Sequence, residues 1–196
     1  MREEAKQYFL LGDRYFETAK LLLKTIITHR NTNAGVDKSL GVACRMMENN
    51  VTKSDVYLFI PAIFNCLQGT ELFIKGLLLL NGENFKRQHE IEGLLDKLEK
   101  CCSTEAKTYS PIKDFYVTQI SIIEKYKQTN RIYNSHDLYM SLRYPEITLK
   151  TKEKITVNYV PLMYNGQSGI EQCQTLLKHL DTIKQITLDE YHQKNT

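Results

Sequence analysis

Residues 71–98 constrain this chain more than any other stretch. Glu71-Leu-Phe-Ile-Lys75-Gly-Leu-Leu-Leu-Leu-Asn-Gly82 is apolar on nearly every side, the pattern of a helix buried all round. Glu71 precedes Lys75 by one turn, in the favourable Glu-to-Lys order. Asn81-Gly82 supplies residues that tolerate positive φ and so closes a tight turn. A basic loop, Phe85-Lys-Arg-Gln-His89, leads into Ile91-Glu-Gly-Leu-Leu-Asp-Lys-Leu98, whose apolar positions recur at helical spacing. The stretch therefore predicts a long core helix and a second helix, over 89–102, folded back on it.

The remaining segments supply partners for that core. Phe9, Phe16, Ala19, Leu22, Leu23, Ile26 and Ile27 predict one helix over 2–29. Asp37 to Met47 reads as a short helix. Ser54 or Asp55 caps the core helix, with Pro61 marking a kink or a later start. Ser110-Pro111 is a start signal for a helix to about Thr129, burying Phe115, Ile120, Ile123 and Tyr126. Residues 131–145 are aromatic and polar without a clear period. Ile147, Leu149, Ile155, Val157 and Tyr159 then alternate, predicting a β-hairpin over 146–160 that turns around Lys152-Glu153. Asn165-Gly166 and Ser168 lead into a last helix with Ile170, Cys173, Leu176, Leu177, Leu180 and Ile183 inward. The expectation is a mainly all-α, up-and-down bundle forming one domain over 1–196, with 131–167 inserted as loop and hairpin before the last helix.

Composition excludes several classes. The net charge of +3 is spread evenly, with 14 basic and 13 acidic groups in residues 1–100 and 12 and 10 in the rest, so nucleic-acid binding must rest on a local cluster. The five cysteines form no C-x-x-C pair and have no histidine at ligand spacing; buried thiols and no metal site are expected. The N-terminus lacks the apolar core of a signal peptide. Val56 to Leu80 carries Glu71 and Lys75 where a bilayer span needs roughly 20 apolar residues, so no membrane association is expected, and the free thiols fit the reducing conditions of a cytoplasmic location. No phosphate-loop, dinucleotide or nucleophile-elbow motif occurs, and no cofactor is expected.

The order Glu-x-x-x-Lys-x-Leu-Leu-Leu, then His-x-Ile-x-x-Leu-Leu-x-x-Leu, resembles the core of the HEPN family (higher eukaryotes and prokaryotes nucleotide-binding). Many of its members are metal-independent RNases or the nuclease and toxin parts of prokaryotic defence systems. The resemblance covers roughly residues 5–136 and the last helix, and leaves the hairpin outside. Arg131-Ile-Tyr-Asn-Ser-His136 resembles the R-x(4–6)-H motif of catalytic members. In such chemistry the 2′-hydroxyl of RNA attacks the adjacent phosphorus; His136 would move the proton and Arg131 would hold the phosphorane charge. Many relatives carry a polar residue where this chain has Ile132, and their motif opens the final helix. The competing reading has Arg131 capping the helix before it and His136-Asp137 starting a turn. His89 reads as an N-terminal helix residue bonding the backbone, and the resemblance implies the same structural role.

Lys86 and Arg87 beside His89, joined by Arg131 and Arg143, would form a phosphate-binding cluster if the helices pack antiparallel. Tyr133, Tyr139 and Tyr144 are candidates for stacking unpaired bases. The Arg143-Tyr144-Pro145 run resembles a segment of some HEPN relatives. Three functions stay open: a metal-independent endoribonuclease of a stress or phage-defence system, acting on RNA; a non-catalytic module binding a nucleotide, an antitoxin or another protein; and a helical scaffold whose dimer is its whole function. Relatives commonly dimerise. The expectation here is a homodimer burying more than roughly 1,000 Å², with His136 near its axis and the 111–129 helix and the tyrosines at the interface.

Overall fold

The computed structural model describes residues 2–29, 56–85, 89–101, 112, 121–162 and 166–194. Its long helices are α1 (Arg2–His29), α2 (Val56–Leu80) and α6 (Gly166–Gln193). Shorter ones are α3 (Ile91–Cys101), α4 (Ser121–Asn130) and α5 (Ser135–Ser141). Strands β1 (Glu146–Thr148) and β2 (Lys154–Thr156) pair antiparallel with Ile147 opposite Ile155, and a 3-10 turn at Val160–Leu162 follows. The mainly helical bundle with its small hairpin is the predicted fold. The proposed helix at 37–47, the caps at Ser54, Asp55 and Ser110, and Phe115, Ile120, Lys86 and Arg87 all lie outside the described residues.

Helix α2 is the axis of the bundle. Its Phe59, Ile63, Cys66, Ile74, Leu77 and Leu78 are fully buried, each large aliphatic contributing about 1.5–3 kcal/mol by leaving water. By length and composition Leu58–Leu80 could cross a bilayer despite its two charges, contrary to the expectation above, yet most of it is covered by the protein itself. α1 runs antiparallel to α2, and small residues let their backbones approach closely. A Cβ on Gly12 would lie 3.2 Å from the Gly69 carbonyl oxygen, and one on Gly76 would collide with the ring of Phe9. Phe9, Phe16 and Phe73 fill the space beside these glycines. Pro61 sits inside the helix on its exposed side.

The turn after α2 forms as the residues demand. Gly82 adopts φ 82°, the Gly82 N–H donates to Leu79 O at 3.1 Å, and the Glu83 N–H donates to Leu78 O at 2.9 Å. That is a Schellman closure, which returns the chain antiparallel into α3. On the other side, α6 is pinned to α1 by Lys184 with Asp13 at 2.5 Å and Lys20 with Asp181 at 2.7 Å. Cys66 and Cys173 are thiols in the core, and burial pushes the Cys66 thiol well up.

The segment read as aperiodic contains α5. Asn134 caps it, accepting from the Asp137 N–H at 2.8 Å while its own amide donates to the Asp137 carboxylate at 2.7 Å. His136-Asp137 therefore opens a helix rather than a turn. Asp137 is buried, and both its oxygens accept the Lys150 N–H at 3.2 Å, fastening the hairpin to α5. A second tie links α4 to the strand exit: the Asn130 side chain accepts the Asn158 N–H at 2.7 Å and donates to its carbonyl at 2.9 Å.

Candidate phosphate-binding cleft

α2, the start of α3 and α5 enclose a cavity of about 390 Å³, a size suited to small ligands. α2 contributes Leu67, Gln68, Glu71, Leu72 and Lys75; the α3 side gives His89 and Ile91; α5 and its exit give Ser135, His136, Tyr139, Met140 and Arg143. Apolar side chains form part of the wall, and the rest combines two cations, two histidines and two hydroxyls with the Glu71 carboxylate and the Gln68 amide.

At its base lies an ion pair within the most apolar helix. Glu71 and Lys75 are each only 5% exposed, and Lys75 Nζ meets Glu71 Oε1 at 2.5 Å. Breaking such a pair typically costs about 3–5 kcal/mol, because the remaining charge stays buried and alone. The Phe85 ring lies 5.3 Å from the ammonium, adding a cation–π contact. His89 completes the group. Its Nδ1 stands 3.0 Å from Glu71 Oε1 and 3.4 Å from Lys75 Nζ. The shorter contact, to a carboxylate oxygen that accepts, is taken as the hydrogen bond; it assigns the ring proton to Nδ1 and makes Nε2 the lone-pair nitrogen of the neutral ring. His89 thus bonds a side chain of α2 and not the backbone as expected. Its ring is largely exposed, while Glu71 beneath it is not.

The opposite wall is held by paired helix starts. The Ile91 N–H donates to Ser135 Oγ at 3.1 Å, and Glu92 accepts from the Ser135 N–H at 2.8 Å and from its hydroxyl. One carboxylate therefore serves the positive ends of both α3 and α5. Glu90, beside His89, pairs with Lys150 of the hairpin. Tyr139 donates to Gln68 across the cleft, and burial raises its hydroxyl above the ordinary tyrosine value. Arg143 lies between two rings, 5.5 Å from the Tyr139 centroid and 5.3 Å from that of Tyr144.

The candidate residues from the sequence divide. His136 and Arg143 line the cleft; Arg131, Tyr133 and Tyr144 do not. Arg131 takes the position after α4 with φ 54°, where the Ile132 N–H donates to Lys127 O at 2.9 Å. It is the left-handed cap of α4, a place that favours glycine. Its guanidinium pairs with Glu153 of the hairpin turn at 2.7 Å. The four-residue spacing thus does not bring Arg131 and His136 to one cleft; the closure of α4 turns the arginine toward the hairpin instead. Tyr133 is exposed, and Tyr144 stands on the far side of Arg143, beside Ile60, Pro61 and Phe64. Missed from sequence were Glu71, Lys75 and His89 as members of the site. A Glu and a Lys inside an apolar helix were the available signal, since buried charges demand partners. Among the described residues no three His, Cys, Asp or Glu side chains gather to hold a metal ion.

The sequence matches no curated protein and no solved structure. The family profile described as HEPN domain matches residues 53–183. That span takes in α2, α3, α5 and the hairpin, which the resemblance had left outside, and it omits α1. The matched span includes every residue lining the cleft and most of the chain's length, and the chain belongs to the HEPN domain family.

Proposed function

We propose that this HEPN protein acts on RNA and grips a phosphate of its backbone in the cleft. The observation that carries the reading is Arg143, held between two tyrosine rings at the mouth of a cavity that also offers His136, His89 and Lys75. Ring faces hold the guanidinium in place, one N–H donates to the Tyr139 hydroxyl oxygen, and the remaining donors are left for phosphate oxygens. Tyr144 beside it presents a half-exposed ring on which an unpaired base can stack. The test is fluorescence anisotropy with a labelled single-stranded RNA in EDTA, against competing mononucleotide and inorganic phosphate. Arg143→Ala weakens RNA binding by about tenfold or more, the equivalent of one charge-assisted hydrogen bond. Unchanged affinity in that variant overturns the reading; equal competition by a mononucleotide narrows the ligand to a nucleotide.

A second reading, a metal-independent endoribonuclease of stress or phage defence, is favoured by the exposed His136 on the same cleft. In its R-x(4–6)-H form it requires Arg131 to exchange Glu153 for the phosphate, or a second copy of the chain to complete the site. RNA cleavage in EDTA that survives both His136→Ala and Arg131→Ala removes these two residues from any mechanism.

A further inference from the structure

We infer that His89, oriented by Glu71, is a proton acceptor of the cleft, and that with His136 as proton donor it opens the bound phosphodiester. The inference rests on the RNA-binding reading above and adds a chemical step and a residue to it. Glu71 Oε1 at 3.0 Å fixes the proton on His89 Nδ1 and directs the basic Nε2 outward, the job a buried carboxylate does for a catalytic histidine. Lys75 stands 2.5 Å from the same oxygen, so the buried carboxylate that orients His89 has a cation at its side. The two imidazoles line the same cavity from different elements, His89 from the lead into α3 and His136 from the first turn of α5.

The step balances without a co-reactant. His89 Nε2 takes the proton of the RNA 2′-hydroxyl as its oxygen bonds phosphorus. The bond from phosphorus to the 5′-oxygen breaks, and that oxygen takes the proton of the His136 imidazolium. Arg143 holds the non-bridging oxygens as charge grows on them. The products are a 2′,3′-cyclic phosphate and a 5′-hydroxyl, and exchange with water resets both rings. Among the described residues, the charged neighbours of His89 are Glu71 and Lys75 on α2 and the Glu90–Lys150 pair, with His136 and Arg143 across the cleft. One base and one acid predict a bell-shaped dependence of rate on pH.

The experiment uses the full chain in EDTA with a short RNA and the same oligomer carrying one 2′-deoxy position. Wild type yields the cyclic phosphate from the first and leaves the second intact at the deoxy position while binding both. His89→Ala lowers kcat by about 100-fold or more, with RNA affinity changed less than about tenfold, and removes one limb of the pH profile. Nitrogen-15 spectra of the wild type place the neutral-ring proton of His89 on Nδ1. Glu71→Gln loses that preference; should this variant not fold, the wild-type spectrum still decides the tautomer. RNA bound but never cut, undiminished cleavage by His89→Ala, or a proton found on Nε2 each overturns the inference while the binding reading stands. RNA that does not bind overturns both.

Discussion

Arg131 and Arg143 flank the same seven-residue helix and end in opposite circumstances. The first is spent on a carboxylate: Glu153 takes its guanidinium, and its backbone closes α4. The second is held by two aromatic faces, which fix its position, and among the described residues no carboxylate pairs with it. An arginine's usefulness to a ligand depends on which kind of neighbour orders it. A sequence motif records the residue and its spacing, and it omits the neighbour.

The sharpest way to break this contrast is through Asp137, which ties α5 to the hairpin and so sets the course of the chain to both arginines. Asp137→Ala leaves the Lys150 N–H and the Asn134 amide without their acceptor; both donors are part-buried, so each loss falls toward the lower end of about 1–3 kcal/mol. Urea unfolding should show a loss of about 2–4 kcal/mol, with RNA binding weakened alongside. Next in size is Arg143→Lys. It keeps the charge but loses the planar fork and much of the stacking, so its RNA affinity should fall between wild type and Arg143→Ala in the same anisotropy titration.

Arg131→Gly then tests the other side. Glycine relieves the left-handed backbone at φ 54°, a gain of about 1 kcal/mol, and forfeits a surface ion pair that contributes at most about 1 kcal/mol. Thermal unfolding should show stability unchanged or slightly raised, and RNA affinity should hold. A large loss of affinity would mean that Arg131 does reach the ligand.

The smallest effect lies far from both arginines. The hydrogen bond from Lys20 holds the Glu17 carboxyl below its ordinary 4.5. A depressed carboxylate adds stability that is present above the ordinary value and fades as pH falls through the lowered one. Glu17→Gln should therefore melt slightly below wild type near neutral pH, and the gap should close in acid below 4.5. A gap that widened in acid would reverse the sign assigned to this pair.

What the sequence revealed follows from where the information lies. α2, its Asn81-Gly82 closure and α3 were legible because period, capping and turn chemistry agree over many residues. The hairpin was legible from the alternation of Ile147, Leu149, Ile155 and Val157, even with Lys152 at φ 68° where glycine is usual. α5 was not, since seven residues do not complete two helical turns and only the Asn134–Asp137 spacing announced a cap. His136 and Arg143 were singled out by residue type and do reach the cleft. The Glu71–His89 contact was hidden because it spans eighteen positions and exists only once α3 folds back. Lys86 and Arg87 lie outside the described residues.

Helix α2 is at once the most buried element and a wall of the cleft, and this ties ligand occupancy to cooperative unfolding. A site on a loose loop can melt early and leave the scaffold standing. Glu71 and Lys75 have no such independence, because any displacement of their backbone carries Ile74, Leu77 and Leu78 with it. Warming should therefore leave the geometry of the cleft almost unaltered until the whole bundle gives way, and a ligand that binds there should delay that collapse by mass action.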